Sequence, residues 1–318
     1  MKPAYFARIS LLALPLLLGR LAQAETFEFH RELPLPADGS VSLSNISGSI
    51  VVETWDQPKL IIDAQKDVRG HGADAKAAAE AVEILVEPKG NSVRIETRYP
   101  KRGWSDVLSW WSKHDRVSVD YRLKIPRRAV VQLESVSGEI EASGMQGHLG
   151  CESISGDTRL SDLAGGVRIE SVSGEVRMRN MTGPIDVESV SGGIQVIGGA
   201  GDFSGETVSG DIELSELSGS RVSASSVSGD LGFSGPFAPG GRYEFESQSG
   251  DINLTIVGNT GFVVEAETFS GDIDVAAGLP LSDVQRESKR LSGTYGDGSA
   301  RVTCDTFSGS VYVDRAKK

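Results

Sequence analysis

Carboxylates recur beside Ser-Gly pairs along most of this 318-residue sequence. Glu134, Glu152, Glu170, Glu188, Glu206, Glu246, Glu267 and Asp305 precede the pair, while Glu139, Asp157, Glu175, Asp211, Asp230, Asp251 and Asp272 follow its glycine. Rows of acids of this kind have three uses. They can hold calcium, which takes six to eight oxygen ligands. They can cleave a glycosidic bond as a spaced pair. They can also simply face water. Asp211, Asp230, Asp251 and Asp272 are the calcium candidates, but the repeat lacks the G-G-x-G-x-D-x-U-x order of calcium-binding β-rolls. The acids repeat uniformly, and a catalytic pair should break the pattern. Solvated ladders are therefore the reading: no catalytic residues and no cofactor, with calcium kept as the alternative. Like charges facing one another across strands repel, so solvent, arginine or a cation has to screen them.

Other chemistry is sparse. His30, His71, His114 and His148 are scattered without zinc-ligand spacing. No G-x-S-x-G elbow occurs, and Gly293–Gly298 (GTYGDG) reads as a glycine-rich hairpin or bulge rather than a phosphate loop. Trp104, Trp110 and Trp111 fall within eight residues, and eight Lys or Arg against three Asp lie between Lys101 and Arg128. With Arg127 and Arg128, these tryptophans suit either a lid over the first coil or a contact surface for lipid or anionic glycan. Ser135, Ser153, Ser171, Ser189 and Ser226, with Thr207, Thr268 and Thr306, form a hydroxyl column expected to bond between coils.

What must position these rows is a nine-residue beat. Ser-Gly pairs end at Gly138, Gly156, Gly174, Gly192 and Gly210, and further glycines fall halfway between at Gly147, Gly165, Gly183, Gly201 and Gly219. Each unit reads x-G-x-Φ-x-Φ-x-x-Φ, with Φ apolar, as in SGEVRMRNM (Ser173–Met181) and TGPIDVESV (Thr182–Val190). Φ-x-Φ has the period of a strand, glycine supplies a tight corner, and the third Φ is expected to point inward past that corner. Two units make a coil of eighteen residues, and coils must stack to bury their apolar faces. The fold predicted is all-β: a parallel β-solenoid of the β-helix or β-roll type, right-handed as parallel crossovers are.

Two columns should fill its interior: Leu133, Cys151, Ile169, Val187, Gly205, Ala224, Phe245, Ala266 and Cys304, then Ile140, Thr158, Val176, Ile194, Ile212, Leu231, Ile252, Ile273 and Val311. Stacked in chain order, the two cysteines lie seven coils, about 34 Å, apart, so both are expected to be buried free thiols. Residues 134–318 carry the regular repeats. Residues 25–133 form an elaborated start with a coil at Ser44–Trp55, strands at Leu60–Ala64, Val82–Val86, Val93–Thr97 and Val117–Leu123, and a short helix at Ala73–Ala81.

Residues 1–24 have a basic start, an apolar stretch from Ile9 to Leu18, and Ala22-Gln23-Ala24, the layout of a secretory signal cut before Glu25. The cut removes three basic residues and no acid, taking the formal charge from −12 to −15. That sign argues against a nucleic-acid partner. No later stretch is long enough to span a bilayer, so the mature chain is expected to be exported without a transmembrane segment, in the periplasm or outside the cell.

The ESVSGEI, ESISGDT, TVSGDIEL and TFSGDIDV repeats resemble an exported bacterial family of β-strand repeats labelled "putative adhesin", whose function is unknown. The resemblance runs from Phe27 to Val313 and is strongest from Glu134 onward. It implies a β-solenoid of the cell envelope, with an envelope protein or glycan as partner, and it carries no catalytic residues. A non-catalytic interaction or scaffolding role follows. A carbohydrate-binding or polysaccharide-cleaving β-helix is the alternative, and a calcium-stabilised roll the second.

Overall fold

The computed structural model describes residues 25–68, 73–100 and 117–316. Residues 1–24, read above as a secretory signal, and Trp104, Trp110 and Trp111 lie outside the described residues.

Alternating apolar residues make each unit a strand, and the strands fall into two facing sheets. At the start of the chain are β1 (Glu25–Pro34), β2 (Ser40–Ser47), β3 (Ile50–Trp55), β4 (Lys59–Val68), α1 (Ala73–Ala81), β5 (Glu83–Lys89), β6 (Ser92–Arg98) and β7 (Val117–Pro126). Regular coils follow as strand pairs: β8 and β9 (Val130–Ser137, Ile140–Ser143), β10 and β11 (Leu149–Ser155, Thr158–Ser161), then β12 and β13 (Val167–Ser173, Val176–Met181). Next come β14 and β15 (Ile185–Ser191, Ile194–Gly199), β16 and β17 (Phe203–Ser209, Ile212–Leu217), and β18 and β19 (Arg221–Ser228, Leu231–Gly235). The last are β20 and β21 (Arg242–Ser249, Ile252–Ile256), β22 and β23 (Phe262–Thr268, Ile273–Val275), β24 (Ser282–Arg286), β25 (Arg290–Tyr295), and β26 and β27 (Ala300–Ser308, Val311–Arg315).

From β8 to β21 consecutive coils pair in parallel with an eighteen-residue offset that stretches slightly after β17: Cys151 faces Leu133 and Ile169, and Val176 faces Thr158 and Ile194. Both inward columns are buried, as the nine-residue beat requires. The all-β solenoid is thus the observed fold.

Glycine makes the corners because backbone stacks directly on backbone there. Gly174 has φ +130°, and a Cβ added to it would sit 2.2 Å from the Gly156 carbonyl oxygen. At the halfway corner, a Cβ on Gly183 would sit 2.3 Å from the Gly165 oxygen. Real Cβ atoms do not come so close, so both glycine columns are steric requirements.

Chain order and stacking order part company at both ends. β26 and β27 insert between the coil of β20 and β21 and that of β22 and β23. Cys304 is therefore six coils from Cys151 rather than seven, and both are buried free thiols. At the other end, the coil of β2 and β3 is sandwiched between β6 with β7 and β8 with β9. Antiparallel strands close both sheets at the head, β1 on β4, β4 on β7 and β5 on β6. At the tail they close one sheet, β25 on β22 and β24 on β25, while the other sheet ends on the three-residue parallel strand β23. Antiparallel caps, and at the remaining edge a very short strand, end the stack where a long parallel edge would invite pairing.

The predicted helix is α1, residue for residue. It has no basic residue in its last turn, and Lys66 of β4 supplies one, donating from Nζ to the Ala79 carbonyl at 3.0 Å and to that of Val82. Burial lowers the Lys66 pKa, with Glu83 pulling the other way. GTYGDG is the end of β25 and the turn into β26, with positive φ at Gly296 and Gly298. It is not a hairpin, because β22 separates the two strands.

Candidate functional site

The third Φ of the repeat behaves differently in the two halves of a coil. In one half the chain reads Val176, Arg177, Met178, Arg179, Asn180, Met181, and Asn180 is left-handed, with φ 54°. That residue resets the alternation and turns Met181 into the core. Gly144, Asp162, Gly198 and Glu216 do the same in neighbouring coils, at φ 71°, 56°, 73° and 58°. Met145, Leu163 and Leu217 are buried behind three of them.

The other half has no such residue. Val187, Glu188, Ser189 and Val190 keep strict alternation up to the Ser-Gly corner, so Ser189 points in and Val190 points out. The expectation that this Φ faces the core is corrected here. Ile46, Val136, Ile154, Val172, Val190, Val208 and Val227 form an outward aliphatic ladder, each 41–53% exposed. After Gln248 the same row continues as Phe307 and Phe269, whose rings stack at 4.7 Å. A signal was present in the sequence: in E-S-V-S the valine shares its parity with the glutamate, not with the buried serine.

Glu134, Glu152, Glu170, Glu188 and Glu206 run alongside, two residues earlier on each strand. Between the carboxylate row and the aliphatic row lies an open furrow of about 680 Å³, floored by the serine column. Ser135, Ser153, Ser171 and Thr207 are buried there, and their hydroxyls have no hydrogen-bond partner among the described residues. Ser226 and Ser247 instead donate to the Gly210 and Gly229 carbonyls of the preceding coil, at 3.2 and 3.3 Å. Thr306 and Thr268 donate to Gly250 and Gly309, at 3.1 and 2.8 Å. These four hydroxyls thus bond between coils at the corner, as expected of the column, while the other four find no partner among the described residues.

Arginine screens part of the charge. Arg168 binds Glu170 and Glu188, at 3.1 and 2.9 Å, and also Asp186. The Gln132 amide donates to Glu152 at 3.0 Å. Glu134 and Glu206 have no ion pair or hydrogen-bond partner among the described residues. On the opposite sheet, Arg159 and Arg177 bridge Glu139, Asp157 and Glu175. Beyond the furrow, at the same position of later coils, Asp305 stands between Glu246 and Glu267. Burial and those two charges raise its pKa.

The aspartates after the glycine have a structural task. The Asp211 carboxylate accepts the Asp230 N–H, Asp230 accepts that of Asp251, and Asp251 accepts that of Ser310, each at 2.8 Å. Asp272 is separated from Asp251 by the inserted coil, and its N–H donates to Ser310 Oγ at 3.2 Å. The four calcium candidates therefore do not form one continuous row. Among the described residues no group of three or more His, Cys, Asp or Glu is placed to hold a metal ion. Arg127 donates to Asp56 at 2.8 Å, and with Arg128 it lies in the turn between β7 and β8, at the opposite edge from the furrow.

Residues 206–314 match the family described as Toastrack DUF4097. That stretch is about a third of the chain, and over it the sequence is similar to a Toastrack domain. The match begins inside β16 and takes in the permuted tail, so the matched stretch includes both regular coils and the inserted one. Among solved structures, the fold is similar to a "putative adhesin" from Bacteroides fragilis, at 11% identity and a TM-score of 0.40, covering 91% of this chain and 97% of that one. It is also similar to a "putative cell adhesion protein" from Clostridium sporogenes, at 10% identity and a TM-score of 0.33, covering 92% and 100%. A third, a "putative lipid binding protein" from Parabacteroides distasonis, has 11% identity and a TM-score of 0.29, covering 91% and 97%. No curated protein matches the sequence. Among the described residues, no helix is long and apolar enough to cross a membrane.

Proposed function

We propose that this chain is an exported, non-catalytic interaction protein of the bacterial cell envelope, adhesin-like, which docks a partner lengthwise along the Ser-Gly edge of its solenoid. The outward aliphatic ladder carries this reading. Isolated apolar residues on a surface are ordinary, but a contiguous row of them rimmed by charge marks an interaction site. Folding gains little from leaving a valine or isoleucine about half exposed at the same position of seven coils, since stacked β-branched pairs contribute at most about 1 kcal/mol each. The acids repeat without a distinguished pair, and the aspartates among them serve backbone N–H groups, which supports binding over catalysis.

The test is site-specific photo-crosslinking in the cell envelope. Benzoylphenylalanine replaces Val172 or Val190 in the ladder, or Arg177 or Gln195 on the opposite sheet. Discrete adducts from the ladder positions alone are expected. Absence of adducts, or the same adducts from both sheets, would overturn the proposal.

A further inference from the structure

The furrow also says what kind of partner fits it. One wall is aliphatic and the other is a row of five glutamates, Glu134 to Glu206, served by the single guanidinium of Arg168. Beyond that row, Asp305 stands between Glu246 and Glu267, and burial together with those two charges holds its proton more tightly than usual. An occupant has to bring apolar side chains to one wall and positive charge to the other. An anionic lipid surface brings the wrong sign.

Spacing narrows the choice further. Valines on adjacent coils are about 4.8 Å apart, the distance between neighbouring strands. An α-helix laid along the solenoid axis advances 5.4 Å per turn, so its apolar side chains keep close to step with the gaps between valines over three turns. An extended strand presents same-face residues about 6.8 Å apart and falls out of step at the second coil. Val136 to Val208 spans four coil steps, about 19 Å, the length of roughly 13 helical residues.

Resting on the reading of this edge as the docking surface, we infer that its occupant is a basic amphipathic helix of a partner polypeptide. Its apolar stripe lies on Val136 to Val208, and lysine or arginine on one flank reaches Glu134, Glu152 and Glu206.

The probe is a synthetic 14-residue leucine-lysine peptide with leucines on one helical face, titrated into the mature chain and followed by calorimetry and peptide circular dichroism. Saturable binding with a gain in peptide helicity is expected, weakened at least tenfold at high salt. The Ile154→Thr, Val172→Thr, Val190→Thr variant and the Glu134→Gln, Glu152→Gln, Glu206→Gln variant should each lose at least tenfold in affinity. A control with three charges removed elsewhere, Glu213→Gln, Asp274→Asn, Asp283→Asn, should bind as the parent does. Both ladder triples change exposed side chains, and unchanged melting of each variant separates lost binding from lost fold. Equal binding to all variants would reduce the effect to general attraction to an acidic protein and overturn the inference. Preferential binding to phosphatidylglycerol vesicles over the peptide would overturn it in favour of a lipid surface. If the peptide fails while crosslinks from Val172 persist, the partner chemistry is wrong and the docking edge stands; if both fail, the edge is wrong as well.

Discussion

Met181 and Val190 hold the same position in successive nine-residue units, yet Met181 is fully buried and Val190 is 49% exposed. The difference is one backbone conformation, the left-handed Asn180 before Met181. Asn180 also donates from Nδ2 to Asp162 Oδ1, the corresponding residue one coil back, at 2.9 Å.

Asn180→Ala should therefore lower stability by about 1 kcal/mol, the cost of holding an alanine left-handed. Asn180→Gly should cost less, because glycine adopts that conformation freely. Asn180→Val should cost most, since branching at Cβ crowds the backbone further. Urea midpoints for the three variants give the order directly. Equal losses in all three would mean that the Asp162 bond, not the backbone, holds the corner.

The nine-residue beat was enough to identify the solenoid and the two inward columns, because stacked backbone admits only glycine at the corners and the inward columns are mostly apolar, while α1 was legible from its run of alanines. The order of the last coils was not legible. Ser-Gly repeats look alike, and nothing local in β22 or β26 says which one docks on β20. That choice is made by the antiparallel hairpin of β24 and β25, which needs the outer side of β22 free. The outward ladder was misread for a different reason. A third apolar residue in a unit suggests core, and only the parity of E-S-V-S, or knowledge of which units contain a left-handed residue, separates Val190 from Met181.

Parity gives a paired test. Val176 is buried between Thr158 and Ile194, so Val176→Asp leaves an unpaired charge between coils. A loss of about 3 kcal/mol or more is expected, enough to prevent folding of the adjoining coils. Val190→Asp adds the same charge to the exposed ladder and should cost under about 1 kcal/mol. Thermal melts distinguish the two, and comparable losses would mean that the assigned inside and outside are wrong.

The corner at Gly174 permits no side chain. Gly174→Ala combines a φ of +130° with a Cβ 2.2 Å from the Gly156 oxygen, so the coils must separate locally. Gly90 has φ +60°, and a Cβ there meets nothing within 4 Å. Gly90→Ala therefore isolates the conformational cost, about 1 kcal/mol. Gly174→Ala should exceed it by at least twofold in a denaturant titration, and parity between them would show that the stacked corners have slack.

Two aspartates should respond to pH in opposite directions. Arg221 holds the Asp202 carboxyl below its usual pKa, donating from Nε at 2.9 Å and from its backbone N–H at 3.0 Å. Its stabilising effect is present above the ordinary carboxyl pKa and is lost as pH falls through the lowered value. Asp202→Asn should melt lower than the parent at pH 7, and the gap should close in strong acid. Asp305 is raised by burial and by Glu246 and Glu267. Its favourable contribution exists below the ordinary pKa and disappears as pH rises through the raised one. Asp305→Asn should melt higher than the parent at pH 7 and equal to it near pH 3. The same sign for both variants at pH 7 would refute the crowding of the acidic row.

The two cysteines make the final case, because a protein exported as proposed would ordinarily pair its thiols. Here geometry forbids it. Six coil steps put Cys151 and Cys304 about 29 Å apart, far beyond the limit of about 7 Å between bridged Cα atoms. Burial pushes the Cys151 thiol up to about 12, and it raises Cys304 as well, with the Asp305 charge adding to the effect. Thiolate is the reactive form, so neither cysteine should react with an aromatic disulfide reagent in the native protein at pH 8, and both should react in denaturant. The order of appearance is informative too. Cys304 belongs to the inserted coil, held in place by β22 and its hairpin, while Cys151 lies among the uninterrupted coils. At intermediate denaturant Cys304 should label first if the permuted tail unfolds as a separate unit. Simultaneous labelling would mean that the inserted coil is bound as firmly as the rest of the stack, and native-state labelling of either thiol would contradict the core assignment.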